Sequence, residues 1–250
     1  MKINEIYPGE KRNLQATNFN EIWDKLIIPN CSEILDLYKS TGALFYRGID
    51  NNVPIFRGYS RNDRRPRDNY IMLSELFEIG LKHLGMTALR TNSIFVINNA
   101  KFASSFGKLY IIFPINGFEY TWFRPCDITL NGFYEFLNFW SNTTLNNELT
   151  TLFKKDFPSN NHDWVYAINT SNNTLSDNMD IINEILRKEG YKPIKPIDLI
   201  DFDKFKYHFA PNNTNLIESL TTGRHETMIK GSYYAFDAKK FIDLIRKKLK

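Results

Sequence analysis

The chain has 250 residues, 42% hydrophobic and 15% aromatic, which supplies a sizeable core and excludes a disordered class. No stretch reaches the roughly 20 apolar residues of a membrane-spanning helix, and the opening MKINEIYPGEKRN is too polar for a signal peptide, so a cytoplasmic protein without membrane association is expected. A formal net charge of +4 and a pI of about 8.9 are a mild basic bias, short of a dedicated nucleic-acid binder.

The segment NFNEIWDKLIIPNCSEILDLYKS spaces Ile22, Leu26, Ile27, Ile34, Leu35 and Leu37 as on one helix face, and Pro29 is expected to divide it into two helices. ALFYRGI reads as a buried strand that carries Arg47 near its end. Residues 50–68 hold Pro54, Gly58 and Pro66 with Arg57, Arg61, Arg64, Arg65 and Arg67, and are expected to form a long Arg-rich loop. Leu73, Leu76, Phe77, Leu81 and Leu84 make an amphipathic helix over 70–89. SIFVIN is a strand, NAKFASSFGK a short helix closed by Gly107, and LYIIFPI a strand stopped at Pro114.

TWFRPCD is expected as a loop and 131–140 as a helix whose aromatics enter the core. Residues 143–174 are rich in Asn and Thr, with WVYAI as a further strand. A helix over 175–189 is capped by Ser176 or Asp177 and stopped by Gly190, another lies near 215–220, strands lie in ETMIKGSYYAFD, and a last helix starts at Ala238. The cations Arg246, Lys247, Lys248 and Lys250 complement the C-terminus of that helix. No internal repeat appears, so one α+β domain over 1–250 is expected, with 1–43 as a helical segment packed on it.

Cys31 and Cys126 are too few for a disulfide framework and read as reduced structural thiols. His83, His162, His208 and His225 lack the spacing of metal ligands, and no metal is expected. Glycine-rich nucleotide loops and the HExxH and GxSxG signatures are absent from the sequence.

Three segments, in order, resemble the ADP-ribosyltransferase superfamily. LFYRG at 44–48 is similar to its first strand, SIFVINNAKFASSFG at 93–107 to its second motif, and HETMIKGSYYAF at 225–236 to its final motif, a Glu that opens a strand. The resemblance implies a split β-sheet core flanked by helices and NAD as co-substrate. It implies that Arg47 grips NAD, that Ser93 touches the pocket, and that rings among Phe95, Phe102, Phe106 and Tyr110 stack on nicotinamide. Glu226 would be the catalytic carboxylate.

Chemistry gives a reason for each residue type. Breaking the nicotinamide–ribose bond develops positive charge on the ribose, which a fixed carboxylate stabilises. A diphosphate needs a donor fork that keeps its charge, which Arg supplies. Read alone, an Arg in a YRG is more often a surface ion-pair partner, a Glu such as Glu226 is also a solvated strand start, and Phe102 or Phe106 is more often a core residue than a stacking ring.

The second motif departs from the Ser-Thr-Ser of the Arg-Ser-Glu branch, since Asn92 and Ser93 precede Phe95. Arginine-modifying members carry Glu or Gln two positions before the catalytic Glu, where this chain has Arg224. A cation there repels an arginine acceptor and suits phosphate or carboxylate. Arg224, Arg57 and Arg61 are therefore expected at the acceptor, a nucleic acid ahead of a protein.

The resemblance thus implies ADP-ribose transfer to a macromolecule by a phage or toxin–antitoxin effector, with an antitoxin or inhibitor protein as partner. An NAD glycohydrolase or a non-catalytic binding module on the same scaffold are the alternatives.

Overall fold

The computed structural model describes residues 12–13, 19–62, 71–123, 174–188, 190–210, 215–222 and 225–250. The expected helix at 131–140, the strand at WVYAI, Cys126, His162, Arg64, Arg65, Arg67 and Arg224 lie outside the described residues. Those described gather in two compact units: one within Met1–Arg64, Met86–Asp127 and Phe209–Lys250, the other within Arg65–Gly85 and Ile128–His208. No helix among them is long and apolar enough to cross a membrane.

The first unit is α+β and is built on one antiparallel sheet. Its strands are β1 (Arg12–Asn13), β2 (Tyr46–Ile49), β3 (Ile55–Tyr59), β4 (Ile94–Ile97), β5 (Lys108–Pro114), β6 (Glu119–Phe123), β7 (Phe209–Ala210), β8 (Glu226–Lys230) and β9 (Ser232–Asp237). They lie in the order β1-β3-β9-β5-β2-β4-β8-β6-β7. Two of these strands correct the sequence reading. β3 occupies the expected Arg-rich loop, because Ile55, Phe56 and Gly58 are buried against β9 despite the loop-like Pro54 and Gly58. β6 begins before the expected loop TWFRPCD and takes in Thr121, Trp122 and Phe123, buried beside β8.

β8 and β9 are joined by Gly231 alone, yet β5, β2 and β4 stand between them in the sheet. The sheet must fold back on itself for the chain to make that step, so ETMIKGSYYAFD is a corner between two half-sheets and not a hairpin. Gly231 sits at φ +131, where a side chain would be strained, and is clamped by Ser60 through N–H to carbonyl and N–H to hydroxyl bonds of 3.0 and 2.9 Å. At the other side of the fold the halves barely touch. Among the described residues β2 and β4 share the single register pair Tyr46 and Ile97, whereas β2 pairs with β5 from Tyr46 to Ile49 and β4 with β8 from Ile94 to Ile97.

Helices close the unit. Phe19–Ile22 (α1) runs through a π-helical turn, Trp23–Ile27, into Ile28–Asn30 (α2), and Ser32–Thr41 (α3) follows. The break falls at Cys31, two residues after Pro29, because the wider π turn lets the helix pass the proline before it ends. Tyr38 of α3 is fully buried, donates its hydroxyl to the Ile112 carbonyl at 2.5 Å and accepts from the Phe45 N–H at 3.2 Å, which pins the helix to β5 and to the approach to β2. Ala100–Ser104 (α5) starts at Asn99, whose side chain accepts from the Phe102 N–H. Leu216–Thr222 (α8) precedes β8, and Ala238–Leu249 (α9) follows β9, its first turn capped by the buried Asp237.

The second unit is helical among its described residues, with Ile71–His83 (α4), Leu175–Lys188 (α6), a 3-10 turn Pro196–Leu199 and Phe202–His208 (α7). α4 stops earlier than the periodicity predicts, since Gly85 takes φ +74. The cap of α6 is Thr174, not Ser176 or Asp177: its hydroxyl receives the Asp177 N–H while the Asp177 carboxylate accepts both groups of Thr174. Phe77 and Phe205 pack edge to face at 5.6 Å, and Gly80 leaves the space that the Phe205 ring fills.

The packing of the first unit makes two predictions. A Cβ at Gly48 would lie 2.2 Å from the Ala103 carbonyl oxygen and 2.8 Å from the Phe106 main chain, whereas Gly117, at φ +78, faces open space. Gly48→Ala is expected to cost about 3 kcal/mol and Gly117→Ala about 1 kcal/mol in urea unfolding. Cys31 is buried and its thiol is pushed up to about 12 by burial, against the pull of Arg57. Peptide mapping after alkylation at pH 8 should therefore find Cys31 unmodified in native protein and modified in urea.

Candidate functional site

The seam between β2 and β4 is where the sequence motifs meet. β2 carries Arg47, β4 belongs to the second motif, and β8 opens with Glu226. One line across the sheet runs from Tyr110 and Arg47 through Tyr46, Ile97 and Glu226 to Phe123, as register partners or immediate neighbours. Residues far apart in the chain thus share one level of the sheet.

Arg47 is half-buried as a residue, and its Nη1 is shut away from solvent with no hydrogen-bond partner. Burial lowers its pKa, while the buried phenol of Tyr233 and the carboxylate of Glu226 act in the opposite sense. Arg47 in turn opposes the upward push of burial on the Tyr233 hydroxyl. The guanidinium and Glu226 therefore lie within each other's electrostatic field. An unmatched N–H on a buried cation costs about 1–3 kcal/mol, a cost that an oxyanion would remove.

The approach of α5 to this seam depends on two glycines. Gly48 lets the turn Ala103–Gly107 abut β2 directly, and a Cβ on Gly107, at φ +135, would come within 3.0 to 3.2 Å of the main chain of Ile49 and Asp50. The main chain of Phe106 is thereby set beside the residue that follows Arg47. Phe106 as a residue is 64% exposed, and its ring stands edge to face with half-buried Phe102, centroids 5.3 Å apart. Tyr110 leaves the pool of stacking rings: it is fully buried against Phe56, and its hydroxyl donates to the carbonyls of Asn51 and Val53.

Other expected residues stand apart from Arg47 and Glu226. Ser93 lies four residues before Ile97, about 13 Å back along the strand direction. It is buried, and its hydroxyl bonds the Asn92 side chain at 3.1 Å within the turn that Asn92 ties to Leu89 and Thr87. Phe95 is half-buried opposite Met228, with the Arg90 guanidinium 5.5 Å from its ring centre. Arg57 is in β3 opposite Tyr234 and acts on Tyr234 and Cys31, whereas Arg47 acts on Tyr233. Adjacent strand residues face opposite sides of a sheet, so the two arginines serve opposite faces. Arg61 is exposed two residues beyond β3.

The structure adds residues that the motifs did not name. Asn98, at the end of β4, donates to the Leu220 carbonyl of α8. Ser219 of α8 and Thr227 of β8 are buried and share a hydrogen bond between their hydroxyls. These contacts fix α8, and with it the entry to Glu226. The His225 ring lies 4.9 Å from that of buried Trp122. Tyr233 was legible only as one aromatic of SYYAF; Asn98 had a local signal, an Asn closing an apolar strand.

Among the described residues no group of three or more His, Cys, Asp or Glu is arranged to hold a metal ion. No protein-family model, curated protein or solved structure matches the chain.

A site residue kept at a cost in stability should reveal itself on replacement. Arg47→Met removes the unmatched donor and keeps the aliphatic bulk, so its melting temperature is expected to equal or exceed that of the parent chain. A fall of more than about 1 kcal/mol in stability would show that the guanidinium is a structural element instead.

Proposed function

We propose that the first unit is an ADP-ribosyltransferase-like split sheet that transfers ADP-ribose from NAD to a macromolecule, with nucleic acid ahead of protein as acceptor. The observation that carries this reading is the meeting of Arg47 and Glu226 across the β2–β4 seam, with Nη1 of Arg47 buried and unmatched. The near division of the sheet at Tyr46 and Ile97 supports the split architecture. Arg224 supports an anionic acceptor through its place in the sequence, two residues before Glu226.

In this reading the Arg47 guanidinium holds the diphosphate, whose oxygens supply the missing acceptor for its N–H. The bond between ribose C1′ and the nicotinamide nitrogen breaks, and its electron pair leaves on nicotinamide as the neutral ring. Glu226 stabilises the cationic ribose and orients the incoming oxygen or nitrogen of the acceptor. That atom bonds C1′ and gives up a proton, so NAD and acceptor become ADP-ribosyl acceptor, nicotinamide and a proton. A water molecule in place of the acceptor would make the same site a glycohydrolase.

Glu226→Gln keeps the shape of the side chain and removes its charge. Nicotinamide release from NAD, followed with labelled NAD in a cell lysate, is expected to fall by about 100-fold or more, with NAD affinity changed by less than about threefold. Label on RNA or DNA supports the acceptor class, and free ADP-ribose alone supports hydrolysis. Turnover equal to that of the parent chain would remove Glu226 from the chemistry and leave a binding module.

A further inference from the structure

Asn51 stands in the crossing that carries the chain from β2 to β3, past β5 and β9, which lie between them in the sheet. The crossing opens with a tight turn, where the Asn51 N–H bonds the Ile49 carbonyl at 2.9 Å, and closes where the Pro54 carbonyl accepts from the Asp237 N–H at 2.9 Å. Between those ties Tyr110 holds it, since the Tyr110 hydroxyl donates to the carbonyls of Asn51 and Val53 at 2.9 and 2.8 Å. Tyr110 is the register partner of Arg47, and register partners project from the same face of a sheet. The crossing therefore lies on the side of the sheet from which Arg47 projects.

Only one end of the Asn51 amide is in use. Its Oδ1 accepts from the Val53 N–H at 3.1 Å, which fixes the other end as the nitrogen. That Nδ2 is shut away from solvent with no hydrogen-bond partner, as is Nη1 of Arg47. Two donors without acceptors thus flank one phenol. The remaining charges on this face do not answer them: Lys108 and Asp237 are paired at 2.8 Å, Asp237 also accepts the Lys239 N–H, and Asp50 is exposed. Glu226 acts on Arg47 through its field and leaves Nη1 unmatched. Neither nitrogen can accept, so the group that completes them must present acceptor oxygens to both. Phosphate oxygens accept strongly from such donors and bring no proton that needs a partner. A diphosphate also has oxygens at both ends, to meet donors on either side of a ring.

We propose that Asn51 is a second ligand-binding donor beside Arg47, its amide N–H bonding an oxygen of the diphosphate that the Arg47 guanidinium holds. The identity of the ligand rests on the transferase reading above, which is deepened here to a grip by two donors. The turn at residues 49–51 and the Tyr110 clamp set the amide in place before a ligand arrives, so little ordering remains to be done on binding.

The test is isothermal titration calorimetry of the full chain at pH 8 with inorganic pyrophosphate, ADP and NAD. In Asn51→Asp the carboxylate still accepts from the Val53 N–H, while the donor is lost and a negative charge faces the ligand. This variant is expected to melt with the parent chain and to bind all three ligands roughly 10- to 100-fold more weakly. Asn51→Ser, which keeps an oxygen for the turn and adds no charge, should show a smaller loss in the same direction. Arg47→Met should weaken the same ligands, and the double variant Arg47→Met, Asn51→Asp should lose less than the product of the two single losses, because both donors hold one group. Parent-like affinity in both Asn51 variants, single losses that multiply in full, or a parent chain that binds none of the three ligands overturns the grip. Turnover of NAD by a chain in which Asn51→Asp binds like the parent keeps the transferase reading and removes Asn51 from it. Asn51-dependent binding of pyrophosphate and ADP by a chain that never consumes NAD keeps the grip and removes the transferase reading.

Discussion

The step from β8 to β9 constrains the whole first unit. One glycine spans a gap that the sheet fills with three strands, and a chain can do this only if the sheet turns back toward itself. That corner brings β8, with Glu226 at its start, into the half-sheet of β4, and commits β9, with Tyr233, to the half-sheet of β5 and β2. The carboxylate and the phenol that act on Arg47 therefore come from two sides of a single bend. The seam at Tyr46 and Ile97 is the complement of the corner: halves joined covalently at one place are free to part at another.

A guanidinium, a carboxylate and a phenol held in such a seam interact more strongly than they would in water, because surrounding side chains exclude the solvent that screens them. Burial works against the charge on Arg47, and the neighbouring groups only partly offset it. The unmatched Nη1 is the visible remainder of that imbalance. The Nε of Arg57, which serves the other face of the sheet, is likewise buried without an acceptor.

Much of this arrangement was legible in the sequence where an apolar run is continuous. IFVI and LYIIFP announce strands as unbroken apolar runs, and LFYRGI does so although Arg47 interrupts it. β3 was hidden by Pro54, Gly58 and an arginine, which read as loop residues although Gly58 makes room for the Tyr233 ring. Motif spacing brought Arg47 and Glu226 into view together with Ser93, which the fold sets four residues along the strand from Ile97. Arg57 illustrates a different limit. Two arginines in similar settings, YRG and FRG, face opposite sides of the sheet, and only strand order and register decide which. The close packing of Gly48 on the turn after α5 is a long-range fact with no local signature beyond the glycine itself.

The interleaving of early and late strands also has a kinetic meaning. β9 lies between β3 and β5, and β8 between β4 and β6, so four strands from the first half of the chain each complete one ladder only with the last tenth. Loop-closure entropy must be met across the whole middle of the chain before these pairings return any free energy. On the ribosome, β3 and β5 are made long before β9, and their open edges are surfaces for misassociation until residue 237 has emerged. The folding of this unit is therefore a late and concerted event, timed by the same short segment that carries Glu226.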